Sequence, residues 1–212
     1  KIFREKIWLF TMTKLTIEQL DHYKNKGYIS PVNVLSSIEA KEIRDEIEKI
    51  EKNWPKALEG INRNYVHLIS PVFNKVCLNK NILDAVESII GKNILICGTT
   101  LFIKNPKEKG FVSFHQDAKY IGLEPHNWVT VWVAITDANE KNGCMRMLSG
   151  SHKENLKHHD QKLRFLSLMK TAVTKTQILM TSITMVGLRR LWSVLEKHSS
   201  LKILSQCWQP TS

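Results

Sequence analysis

The residues of this 212-residue chain whose types and spacing could do chemistry centre on His115-Gln116-Asp117. On a strand, residues i and i+2 project from the same face, so His115 and Asp117, expected side by side on one strand, can bring an imidazole and a carboxylate together on one metal ion. A His-x-Asp pair supplies two thirds of the 2-His-1-carboxylate facial triad. That set leaves positions open on iron(II) for a chelating cosubstrate and dioxygen. A three-residue pattern also arises by chance, and a lone His and Asp on a surface would look the same. The surroundings have to decide. The four cysteines, Cys77, Cys97, Cys144 and Cys207, form no C-x-x-C pair. They read as small buried residues of a reducing compartment rather than as disulfide partners or nucleophiles.

The elements that must position the pair change in character along the chain. From Met12 to about Asn93 the pattern is helical. Thr16-Ile17-Glu18-Gln19 and Ser36-Ser37-Ile38-Glu39 fit the capping box, and Ile43, Ile47 and Ile50 then share one helical face. A further helix is expected from Asn81, with an apolar stripe of Ile82, Leu83, Val86, Ile89 and Ile90 ended by Gly91. Between these helices, Gly60 to Pro71 reads as irregular or extended. From Ile94 to Gly150 the pattern becomes β-like. Ile94–Cys97 and Thr99–Ile103 are β-prone runs, and Asn105 to Gly110 is a loop by composition. Phe111–Phe114 leads into His115, Trp128–Ile135 is the strongest strand, and Asn142-Gly143 marks a tight turn. Short strands at this spacing point to an antiparallel sandwich or barrel.

Phe111 to His152 reads FVSFHQDAKYIGLEPHNWVTVWVAITDANEKNGCMRMLSGSH. This stretch resembles the core of the phytanoyl-CoA hydroxylase (phytanoyl-CoA dioxygenase) family: an H-Q-D-x-x-Y block, a Trp-bearing strand, then N-G-C-M and G-S-H. Leu101–Pro106, Leu83–Ile94 and Leu15–Ser36 resemble the family too. The resemblance implies an iron(II)/2-oxoglutarate-dependent dioxygenase that hydroxylates an aliphatic carbon of a small molecule or acyl thioester. Its partners would be that substrate and dioxygen. The implied fold is an all-β core with flanking helices, a double-stranded β-helix (jelly roll, cupin-like). By the same carry-over, His115 and Asp117 are the iron ligands, Trp132 and Leu101 match positions that contact 2-oxoglutarate, and Gln116 and Tyr120 shape the pocket. The bland alternative for Trp132 is core filling. Gly143 would serve backbone geometry and Cys144 the core. Ser149 stands where the family usually has Pro before G-S-H.

The match is read over residues 12–160, with Lys1–Thr11 as a leader that is not native to the domain. A complete member carries a second His on a later strand, followed by an Arg whose planar fork pairs with the far carboxylate of 2-oxoglutarate. After Asp160 the remaining histidine is His198, and no arginine follows it. His152, His158 and His159 fall where the family does not draw ligands. Residues 161–212 hold eight basic residues against one acid, Glu196, and so carry +7 of the net +11. They show no steady period and yield no coherent set of strands. The expectation is a jelly roll incomplete at its C-terminal end, a frame-shifted or wrongly spliced tail that packs poorly, and impaired turnover. The alternative is a non-catalytic relic with weak or no metal binding. A nucleic-acid role is disfavoured, because the basic excess lies outside the family-like region and lacks interleaved aromatics. No apolar run approaches the ~20 residues of a membrane-spanning helix. A cytoplasmic location is expected.

Overall fold

Hydroxyl side chains start the first two helices, as the capping boxes require. Thr16 caps α1 (Ile17–Lys26) and Ser36 caps α2 (Ser37–Asn53), with Gln19 and Glu39 reaching back to the cap amides. Each box satisfies amides that the first turn leaves without helical partners. The computed structural model describes residues 14–105, 112, 114–121, 123, 126–140, 142–156 and 178–187, with 119, 120 and 178–182 described by backbone alone. Lys1–Thr11, Cys207, His158, His159, His198 and most of residues 161–212 therefore lie outside the described residues. Gly60 to Pro71 is not extended throughout. It forms a 3-10 turn at Gly60–Arg63 and a short helix α3 (Val66–Ile69), leading into α4 (Pro71–Cys77). Helix α5 (Lys80–Ile90) is capped by the Asn79 side chain and ends at Gly91. Its buried stripe is Ile82, Val86 and Ile90.

The two β-prone runs from Ile94 join into one strand, β1 (Ile94–Lys104), with a register shift between Ile96 and Gly98. After a helical turn α6 (Ala118–Ile121), the Trp-bearing run forms β2 (Trp128–Ala134). The strand that joins them comes from an unexpected place. β3 (Ile178–Gly187) runs antiparallel to both and lies between them, giving the order β1–β3–β2. The reading of residues 161–212 as free of sheet strands is thus corrected at 178–187. A strand paired on both edges and packed against helices needs no clean alternation, and here Ile183, Met185 and Val186 are all buried. Within these residues the tail is a core element rather than a loose appendage.

One face of the sheet makes the core. Leu101 and Ile103 of β1, Val129 and Val133 of β2, and Ile183 and Met185 of β3 pack against Ile43, Ile47, Phe73 and Ile82 of the helices. The opposite face carries Thr100, Phe102, Thr130 and Trp132, by the alternation of side chains along each strand. None of the helices among the described residues is long and apolar enough to cross a membrane.

The G-S-H stretch takes on a structural task. The Gly150 amide donates to the Lys26 carbonyl at 2.9 Å, and His152 Nε2 donates to the Lys24 carbonyl at 2.9 Å. Lys153 Nζ donates to Asn25 Oδ1 at 3.2 Å. These bonds engage the C-terminal turn of α1, whose last carbonyls have no helical partners. Gly27 permits the approach: its φ is +84°, and a Cβ there would lie 2.5 Å from His152 Nδ1. Gly27→Ala should therefore cost more than the roughly 1–2 kcal/mol of a left-handed alanine, because the imidazole must also move, and so lower the urea midpoint. An unchanged midpoint would remove this clasp.

The cysteines do not all behave as buried residues. Cys77 is buried, and burial pushes its thiol up to about 11. Cys97, at the register shift of β1, is exposed, and Cys144 is half-buried. Iodoacetamide near neutral pH should label Cys97 well before Cys77 in the native protein, as read by peptide mass mapping. Equal rates would contradict the burial of Cys77.

Candidate functional site

His115 and Asp117 stand on the 23-residue-spanning connection from β1 to β2, in an open stretch that turns into α6. Residues 114–116 belong to no strand, so the expectation of a shared strand is corrected. The chain is already turning at Asp117, whose carbonyl accepts the Ile121 amide at 3.2 Å as the first bond of α6. The two side chains still converge. His115 Nε2 lies 3.0 Å from Asp117 Oδ1, with side-chain exposures of 30% and 37%. The pair is open enough for an ion to reach and sheltered enough to hold its geometry.

The second carboxylate oxygen is held from the sheet. Thr130 Oγ1 of β2 donates to Asp117 Oδ2 at 3.0 Å. The hydrogen bond from His115 is the main influence holding the Asp117 carboxyl below its usual range. Burial works in the opposite direction, while the Thr130 hydroxyl and the charge of a protonated His115 lower the value further. One imidazole nitrogen and one carboxylate oxygen, brought together in this way, make a donor set that suits a divalent first-row metal. Among the described residues no third His, Cys, Asp or Glu joins them.

The other expected site residues divide between the two faces of the sheet. Trp132 lies on the same face as Thr130, and its ring meets Phe102 of β1 at a centroid distance of 4.6 Å and an angle of 45°. Trp132 is half-buried and, among the described residues, is not part of the helix-packed core. Leu101 points the other way. It is 1% exposed within the helix-packed core, so Phe102 is the residue of β1 that shares a face with Trp132. Gln116 is half-buried between the two candidate ligands, and Tyr120 falls on α6, its side chain outside the described set. Gly143 has a φ of +90°, in keeping with a backbone role. The adjoining Asn142 is buried, donates to the Asp137 carbonyl and accepts from the Asn139 amide, each at 2.7 Å.

Two contributors were not expected from the sequence. Thr130 was legible in principle, since it sits two residues before Trp132 on a strand and so shares its face. The other is the segment around Tyr65, which binds along an edge of β1. Asn64 bridges Thr100, the Thr100 hydroxyl donates to Asn64 Oδ1 at 2.9 Å, and the Tyr65 amide donates to the Thr99 carbonyl at 2.7 Å. Tyr65 has a left-handed φ of +56°, a conformation that nothing in its sequence neighbourhood announces.

Comparison with known proteins follows the same lines. The family model described as phytanoyl-CoA dioxygenase (PhyH) matches residues 23–181, well over half of the chain and past Asp160 into β3. The human protein named "Phytanoyl-CoA dioxygenase, peroxisomal" is 28% identical over 169 residues, which cover 69% of this chain and 50% of the human one. The chain spans about half the length of such curated relatives, and less of others. Among solved structures, the non-heme monooxygenase ThoJ in its apo form has a TM-score of 0.69 at 24% identity, covering 81% of this chain and 78% of ThoJ. CytC3 with Fe(II) and alpha-ketoglutarate has a TM-score of 0.61 at 18% identity, covering 82% and 78% of the two chains. At these identities the structural likeness is one of fold.

Proposed function

We propose that this chain, which belongs to the phytanoyl-CoA dioxygenase family, holds iron(II) through His115 and Asp117 and uses it, with 2-oxoglutarate and dioxygen, to hydroxylate an aliphatic carbon. The observation that carries the reading is the meeting of His115 Nε2 and Asp117 Oδ1 at 3.0 Å. The substrate class is a small molecule or an acyl thioester. When bound, the metal and cosubstrate supply the oxidative chemistry, with 2-oxoglutarate leaving as succinate and carbon dioxide. His115 and Asp117 bind and orient, and the carboxylate offsets part of the cation's charge. Trp132 and Phe102 form an apolar wall that excludes water from the cosubstrate side. Phe102 takes the place that the family carry-over gave to Leu101, whose side chain is committed to the core. Gln116 and Tyr120 border the pocket.

In this reading the sheet β1–β3–β2 is one part of a double-stranded β-helix that residues 12–160 only partly build. Turnover is weak. The described residues bring together two candidate protein ligands, and His198, the one histidine after Asp160, lies outside them. The same observation favours a second reading, a dioxygenase-like domain that binds metal poorly and does no chemistry. Both place the chain in the cytoplasm with small-molecule partners, and neither assigns a nucleic-acid role to the basic tail.

Anaerobic titration with iron(II) and 2-oxoglutarate separates the two. The active reading expects a weak visible charge-transfer band that is lost in His115→Ala, with slow succinate release in air. A parent protein that gives neither band nor succinate leaves the non-catalytic reading standing.

A further inference from the structure

The geometry points to Thr130 as a positioning residue that fixes which oxygen of Asp117 is presented to the metal. This inference rests on the metal-binding reading of His115 and Asp117. Asp117 sits where the open stretch enters α6, a short helix of four residues, and its side chain is half-buried. A carboxylate in such a place can rotate about its terminal torsion, chelate with both oxygens or turn toward water. Thr130 stands on firmer ground. It lies within β2, and β2 pairs along its whole length with the central strand β3, Thr130 opposite Thr184. Its neighbours Val129 and Val133 are buried in the core, which sets the direction of the Thr130 side chain. A β-branched residue on a strand also has few χ1 choices, so its hydroxyl is held in place before any ligand arrives.

The hydroxyl donates to Oδ2 at 3.0 Å, while Oδ1 faces His115 Nε2, also at 3.0 Å. Thr130 thereby occupies one carboxylate oxygen and leaves the other turned toward the imidazole. The result is a one-oxygen ligand aimed at the same point as the His115 nitrogen. Outer groups that orient metal ligands change affinity by about 10- to 100-fold when removed, and Thr130 belongs with them.

The test compares Thr130→Ala with Thr130→Ser in the full 212-residue chain, titrated anaerobically with cobalt(II) and followed by its visible absorption. His115→Ala marks the part of the signal that belongs to this site. Both variants lose the same methyl group and differ in the hydroxyl, so a packing defect would affect them alike. Thr130→Ala should bind cobalt(II) about 10- to 100-fold more weakly than the parent and show an altered band shape. Thr130→Ser should recover most of the affinity and the parent spectrum. Equal binding by the parent and Thr130→Ala overturns the positioning role and leaves the metal site intact. Equal weakness of the Ala and Ser variants also overturns it, by assigning the effect to packing. A parent without any His115-dependent signal overturns the metal reading and, with it, this inference.

Discussion

His115→Ala and Asp117→Ala should each weaken metal binding at this site by more than ~100-fold, beyond the 10- to 100-fold range of outer-shell changes. Each substitution removes one of the two protein donors that meet among the described residues. A cation left with a single protein ligand is held little better than one in buffer. Asp117→Ala also deletes the negative charge that offsets the cation, so it should be the more damaging of the two. Cobalt(II) titration with the parent as reference measures the loss. Parent-like affinity in either variant would place the metal elsewhere.

The same pair makes a separate expectation about pH in the metal-free protein. The Asp117 carboxyl is held below its usual value, chiefly by the hydrogen bond from His115. A group depressed in the folded state stabilises it above the unfolded pKa, and that contribution disappears as pH falls through the folded one. The window therefore lies below about pH 4, the ordinary carboxylate value. The parent should lose melting temperature across this window more steeply than Asp117→Asn. The pair is partly exposed, so the difference will be small.

His115 and Asp117 were singled out by their spacing, and their side chains do meet, although residues 114–116 belong to no strand. Whether these residues join a sheet was not legible. A ladder depends on what lies alongside, and a sequence does not print its neighbours. The facing of Leu101 was hidden for a related reason. In Leu101-Phe102-Ile103 every residue is apolar, so the run does not say which side faces the helices. The structure resolves it by burying Leu101 and Ile103 and setting the Phe102 ring, tilted, against Trp132. Thr130 carried a readable signal in its spacing from Trp132, but a threonine in a strand is ordinary until a carboxylate is found against it.

Helices were read most accurately where local chemistry determines them. Thr16 with Gln19 and Ser36 with Glu39 close their boxes within one turn, and Gly91 ends α5, whose cap at Asn79 lies just before the expected start at Asn81. No distant contact is needed for these choices. The strand β3 is the opposite case. It lies in a stretch whose sequence shows no steady period, and its identity comes from Thr99 on one side and Val131 on the other, both opposite Ile183. Its distance in sequence from β1 and β2 hides both pairings.

That central placement makes Ile183→Asp the substitution expected to destabilise most. Ile183 is 0% exposed, in the middle of the strand that separates β1 from β2. Truncating a buried isoleucine costs ~2–5 kcal/mol in lost burial and residual cavity. Burying a carboxylate without a partner adds several more, even after it takes up a proton. Typical domains have ~5–15 kcal/mol in total, so the sum is comparable to the whole stability. The Asp variant should show no cooperative urea transition at room temperature. Ile183→Val, which keeps the apolar character, should cost only about 0.5–1.5 kcal/mol. Ile17 is 75% exposed on α1, and Ile17→Asp should leave the midpoint close to the parent's. The three variants together measure whether β3 is integral to the sheet. If residues 178–187 were loosely attached, Ile183→Asp would unfold at the parent midpoint, beside Ile17→Asp. A collapsed transition in Ile183→Asp alone places the strand, and the part of the tail that carries it, at the centre of the fold.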